Sequence, residues 1–107
     1  RQENPQVIPD LQKVDFQGID LRDADLSRAN LSEADLSQAY LLDANLSEAH
    51  LRGANLNRAC LIGANLSQAY LSDASLCNAY LFEADLTQAY LRKANLREAD
   101  LKRSNLS

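Results

Sequence analysis

The sequence predicts an all-β fold, a quadrilateral β-helix of about five coils, on three observations. A large apolar residue recurs at every fifth position, beginning with Phe16 and Leu21 and running to Leu106. A small residue stands two places before it, Ala at every such position from Ala24 to Ala99. The residues around this pair vary with periods of ten and twenty.

The first observation excludes the ordinary elements. Five residues at about 100° each leave successive leucines about 140° apart on an α-helix, so they form no stripe. In one continuous strand an odd period flips the leucine from face to face. The period works when divided as two plus three. Ala to Leu is two residues, which places both on one side of a short extended segment. The two residues after Leu then bulge outward and turn the chain. Each pentad becomes one straight side and one corner, with Ala and Leu pointing inward. Nineteen consecutive pentads obey this from Phe16 to Leu106, with Val14, Ile19 and Ser104 replacing Ala at the ends. Pro9 and Leu11 fit a degraded twentieth.

The number of sides follows from the outward residues. The residue between Ala and Leu is Asp, Asn or Ser at 25, 35, 45, 55, 65, 75, 85 and 95. At 40, 50, 60, 70, 80 and 90 it is Tyr, His, Cys, Tyr, Tyr and Tyr. A ten-residue alternation requires an even number of sides. The residue after Leu is apolar at Leu42, Ile62 and Phe82 but polar at Arg52, Ser72 and Arg92 between them. That is a period of twenty, hence four sides per coil. Stacked coils pair their backbones throughout, as in other solenoids.

Composition agrees. Hydrophobic residues are 46% of the chain, aromatics only 6%, and Trp and Met are absent. Such a core is built from one repeated small unit. The net charge of −4 is unevenly placed: residues 1–53 carry ten acids against five bases, and residues 54–107 five against six. No basic run is dense enough for direct nucleic-acid binding. No apolar stretch is long enough for membrane insertion by a helix.

The N-terminal residues 1–13 depart from the pattern and read as a leader or cap, with 14–107 as the β-helix. Val7, Ile8 and Leu11 are expected to fold over the first coil, with Pro5 and Pro9 discouraging further strand pairing. The pattern runs to Ser107 without a cap. Either a capping segment follows, or the coil of Leu91 to Leu106 stacks on a second copy as a homodimer. The chain opens on Arg1, so it is expected to begin inside a longer reading frame. Its compartment is expected to be the cytoplasm or, if the missing N-terminus was a signal peptide, an exported one such as a periplasm or thylakoid lumen.

One side carries Tyr40, Leu42, Cys60, Ile62, Tyr80 and Phe82, an apolar patch rimmed by Asp20, Arg22, Asp100 and Lys102. Contiguous exposed apolar surface marks interaction sites, so these six residues are the candidate protein-binding patch. The opposite side bears Asn30, His50, Tyr70 and Tyr90 with Arg52 and Arg92, a more polar ladder. His50 is the only histidine and lacks the companions of a metal or catalytic site. Cys60 and Cys77 fall on different sides and are expected to be free thiols. No cofactor is expected. The other two sides are Asp, Asn, Ser and Thr ladders, expected to bond from coil to coil. In the first coils Asp15 lies over Asp35, with Asp20, Asp23 and Asp25 nearby. Like charges this close disfavour ionisation, so the fold is expected to gain stability as pH falls through about 5.

The runs ADLSRANL, ANLSQAYL and ADLTQAYL resemble the pentapeptide-repeat proteins, with their A(D/N)LXX consensus. The resemblance covers residues 14–107 and implies a right-handed quadrilateral β-helix. It implies a non-enzymatic scaffold or protein-interaction module with an unidentified protein partner. The alternative it raises is a DNA mimic that binds a type II topoisomerase (gyrase). The weak negative charge and the absence of a C-terminal dimerising helix argue against that alternative.

Overall fold

A computed structural model describes residues 8–107. Its regular backbone pairing consists of sixteen parallel bridges, each joining a residue to the one twenty positions later, from Asp10↔Asn30 to Asp85↔Asn105. Four pentads therefore make each coil. The bridge residue is always the one between Ala and Leu, and the two residues after Leu always turn. None of the described residues is helical, and no helix is long and apolar enough to cross a membrane.

The corners follow from backbone sterics. The second residue after each Leu has positive φ, between 58° and 63° at sixteen non-glycine positions and near 70° at Gly18, Gly53 and Gly63. With Leu as the first turn residue, only the third has positive φ, the sign pattern of a type II turn. Each turn closes by an Ala N–H donating to the Leu carbonyl, as Ala64 does to Leu61 at 3.0 Å. A side chain at such φ is strained by about 1–2 kcal/mol. The strain is offset because the same residue donates its N–H to the next coil, as Gln68 does to Thr87 at 2.8 Å.

Pentad 65–69 shows how completely the donors are used. Asn65 N–H reaches the Ala44 carbonyl below at 2.9 Å, and Leu66 N–H the Asp85 carbonyl above at 2.6 Å. Ser67 N–H donates to the Asn65 side-chain oxygen at 2.9 Å. Gln68 bonds upward, and Ala69 N–H closes the turn on Leu66 at 3.0 Å. No N–H of this pentad is left over.

Inside, Leu31 through Leu86 are at most 1% exposed, and so are Ala29 through Ala84. No polar or charged residue is buried among the described residues. Each enclosed leucine contributes about 1.5–3 kcal/mol gross from burial. The end coils are half-open: Leu11, Phe16, Leu91, Leu96 and Leu101 are partly buried against the core.

The coil begins before residue 14. Asp10 bridges Asn30, and Leu11 and Lys13 donate to Asn30 and Ser32 at 2.7 and 3.0 Å. The degraded pentad is thus formed, and the pairing extends into the segment read as a leader. Of the residues expected to fold over this end, Leu11 occupies an ordinary inward position and Ile8 is 48% exposed. Pro5 and Val7 lie outside the described residues.

Candidate protein-interaction site

Asp or Asn at the bridge position has a local task. At all thirteen such positions its side-chain oxygen accepts the N–H two residues on, from Asp10 with Gln12 to Asn105 with Ser107. This is the Asx turn. The expected coil-to-coil ladders are therefore corrected: these side chains bond within their own pentad. The reason is reach, since a short side chain meets the first turn N–H before it meets the next coil. Ser27, Ser37, Ser67 and Ser107 hydroxyls add a second bond to the same oxygen at 2.7 Å. Gln68 to Gln88, at 3.2 Å, and Asn57 to Ser75 and Cys77 cross between coils.

The same bonds overturn the expected charge repulsion. Asp15 does lie over Asp35. Yet the Ser27 hydroxyl, then the Ser27 N–H, holds the Asp25 carboxyl below its usual range. Ser37 does the same for Asp35. Asp20 is pushed down to about 2, first by the Arg22 side chain and then by the Arg22 N–H. That ion pair is 2.7 Å long and exposed. Donors one turn away outweigh carboxylates one coil away.

Where Tyr, His or Cys replaces Asx, the outward surface changes. Bridges join Tyr40 to Cys60 and Cys60 to Tyr80, so the predicted residues do share one side. Tyr40 and Tyr80 are 53% and 51% exposed. Leu42, Ile62 and Phe82, each after an inward leucine, are only partly exposed. Phe82 is further shielded by the Arg103 guanidinium, 5.9 Å above its ring, which pairs with Glu83 at 3.3 Å. Tyr40, Cys60, Ile62 and Tyr80 line a depression of about 660 Å³, with Gly18, Gln38 and Arg58 at its edge. The tyrosines, more than the aliphatic column, form its walls.

The opposite side stacks its rings. His50 and Tyr70 centroids are 4.8 Å apart with a 40° tilt, and Tyr70 and Tyr90 are 4.9 Å apart and nearly parallel at 2°. Here every rung is filled. On the Tyr40 side the middle rung is Cys60, which is half-buried and free, as is Cys77.

Replacing Asx also removes an acceptor. The N–H groups of Leu42, Ile62 and Phe82, and of Arg52, Ser72 and Arg92, have no acceptor among the described residues. The ten-residue alternation in the sequence marks these positions, but their loss of a backbone partner becomes visible only with the turn geometry. No three His, Cys, Asp or Glu among the described residues are grouped to hold a metal ion.

Comparison with known proteins agrees with this geometry. A family model described as pentapeptide repeats (8 copies) matches residues 29–68 and again 69–107. The crystal structure of the pentapeptide-repeat protein Rfr23 from the cyanobacterium Cyanothece 51142 superposes with a TM-score of 0.86 at 38% identity. The match covers 88% of this chain and 65% of that one. HetL from Nostoc sp. strain PCC 7120 matches at 37% identity over 89% of this chain and 48% of its own, with a TM-score of 0.46. A further Nostoc PCC 7120 pentapeptide-repeat protein matches at 45% identity, over 79% and 62%, with a TM-score of 0.40. No curated protein matches. Proteins of this kind are repeat scaffolds, generally non-catalytic, whose coils are right-handed and four-sided. With the repeat matched over residues 29–107 and every described coil closing in four pentads, this chain belongs to the pentapeptide-repeat family.

Proposed function

We propose that this chain is a docking scaffold that receives a protein partner on the side of Tyr40, Leu42, Cys60, Ile62, Tyr80 and Phe82. The observation that carries the reading is the pair of exposed tyrosines, 53% and 51% accessible, one coil on either side of the smaller Cys60 and lining one depression with it. Two coils separate their backbones, about 10 Å at the usual strand spacing. The filled ladder opposite shows what one rung holds: rings 4.9 Å apart. The Cys60 rung therefore offers the room of one flat side chain between the two tyrosine rungs. Tyrosine anchors of this kind dominate protein interfaces, because a large area is ordered at small entropic cost.

The uneven charge does not favour the DNA-mimic alternative. Arg52, Arg92 and Lys93 stand together on the opposite side, lining one depression. A charge-mimicking surface would lack such a cluster.

The test is capture from an extract of the source cell, followed by reconstitution with the purified captured protein. Tyr40→Ser with Tyr80→Ser should weaken the purified complex at least tenfold, while Tyr70→Ser leaves it unchanged. Equal affinity for both variants would place the partner elsewhere. A wild-type dimer that the double variant splits in sedimentation would make this side a self-association face.

A further inference from the structure

The His50 side carries a depression of its own, sharing no lining residue with that of the Tyr40 side. This depression of about 490 Å³ is lined by His50, Arg52, Tyr70, Ser72, Arg92 and Lys93, together with Asp73. Arg52 and Arg92 lie two coils apart with Ser72 between them, and each of the three follows an inward leucine. Asp73 pairs loosely with Arg52 at 3.6 Å, with both side chains exposed. Arg92 and Lys93 have no carboxylate within ion-pair distance among the described residues. The depression thus keeps a surplus of positive charge on a chain whose net charge is −4.

The backbone adds donors to these cations. In the thirteen Asx pentads, the N–H after Leu donates to an Asp or Asn oxygen, as Ser67 does to Asn65 at 2.9 Å. In the pentads of His50, Tyr70 and Tyr90 that oxygen is replaced by a ring, and Arg52, Ser72 and Arg92 have no acceptor among the described residues. Three like N–H groups thus follow one another up the side, one per coil. The Tyr40 side has the same three donors, but they belong to Leu42, Ile62 and Phe82 and carry no charge with them.

From this pairing of acceptor-free N–H groups with cations we infer that the His50 side binds an acidic segment of a partner protein. Its carboxylate is held between Arg52 and Arg92 and accepts the Ser72 N–H, taking the place that an Asp side chain fills in the other pentads. Charged acceptors bonded by both an N–H and a guanidinium make the stronger class of hydrogen bond. The stacked Tyr70 and Tyr90 rings form a flat wall beside it. A nucleic-acid backbone fits less well, because the exposed Glu33 stands one coil before Gly53 and the exposed Glu48 lies beside His50 and Tyr70, where they would repel a long polyanion along the rod.

Amide NMR on the whole chain tests this with an oligoglutamate peptide as probe. The Arg52, Ser72 and Arg92 N–H signals should shift saturably, while those of Leu42, Ile62 and Phe82 stay. Arg92→Gln should weaken binding about tenfold or more, by loss of one charge-assisted contact. Tyr70→Asp should restore the internal acceptor, fix the Ser72 signal and reduce affinity. Absence of a saturable shift overturns the inference, as does an affinity unmoved by Arg92→Gln. Tighter binding of an oligothymidylate of equal charge assigns the side to nucleic acid and overturns it too.

Discussion

Asn57 does the work of a residue one coil above it: its side-chain oxygen accepts the Ser75 hydroxyl and, at 2.9 Å, the Cys77 N–H. In the other polar pentads that N–H belongs to the Asp or Asn two residues before it. Here Ser75 is too short, and Asn57, standing where most pentads have Ser, Arg or Gln, reaches up to replace it. Asn57 N–H meanwhile keeps its own Asx partner, Asn55, at 3.0 Å. Asn57→Ala should therefore cost about 1–2 kcal/mol, since the Cys77 N–H loses its acceptor. Adding Ser75→Asn should return roughly half of that by rebuilding the local turn. Denaturant titration of the single and double variants decides it. A double variant no more stable than Asn57→Ala would show that Ser75 is not the compensated defect.

The interior predicts an asymmetry between neighbouring positions. Ala64 is fully buried, while Ser67 faces outward on the adjacent corner. Ala64→Leu should cost about 1–3 kcal/mol or more by overpacking. Ser67→Leu should lose only its hydroxyl bond to Asn65, about 1 kcal/mol or less. Equal thermal midpoints would overturn the inward assignment of the alanine column.

Two glycines separate backbone strain from contact. Gly18 and Gly63 have almost the same φ, 69° and 70°. A methyl group at Gly18 meets nothing within 4 Å, whereas at Gly63 it runs into the Asp43 carboxylate folded over it from the coil below. Both alanine variants pay the positive-φ cost, about 1 kcal/mol. Gly63→Ala should lose a further few tenths, recovered when Asp43→Ser is added. Thermal midpoints of the three variants measure this. An identical loss at both glycines would mean that Asp43 swings away without cost.

Acid should weaken the first coils. Asp20, Asp25 and Asp35 all have depressed folded-state values, so their ionised forms favour the fold. Their contribution is complete above the unfolded value of 3.8 and is lost as pH falls toward about 2, the value of Asp20. These groups therefore leave stability level between pH 7 and 5 and lower it below about 4. Arg22→Gln should remove the larger part of the Asp20 share of the drop, leaving the part due to the backbone N–H at position 22. A denaturation midpoint that rises from pH 5 to 3 would reinstate the repulsion between stacked carboxylates as the larger effect.

The sequence by itself determined the coil. A five-residue period fits neither a helix nor a straight strand, and the Ala–Leu pair selects side-chain size at every rung. That inward constraint is local and repeats nineteen times, so it is legible without coordinates. The period of twenty likewise brought Tyr40, Cys60 and Tyr80 onto one side. Tertiary structure alone decided how the outward groups bond and what solvent reaches. A short Asp side chain has both a turn N–H two residues on and a neighbour twenty residues away within plausible reach, and only the turn geometry selects the first. Exposure of the patch was settled the same way. Leu42, Ile62 and Phe82 are only partly exposed, with Arg103 over the last, while Tyr40 and Tyr80 stand clear. The acceptor-free N–H groups beside Arg52 and Arg92 have the same origin: a backbone donor acquires or loses its partner by direction and distance, which no sequence period encodes.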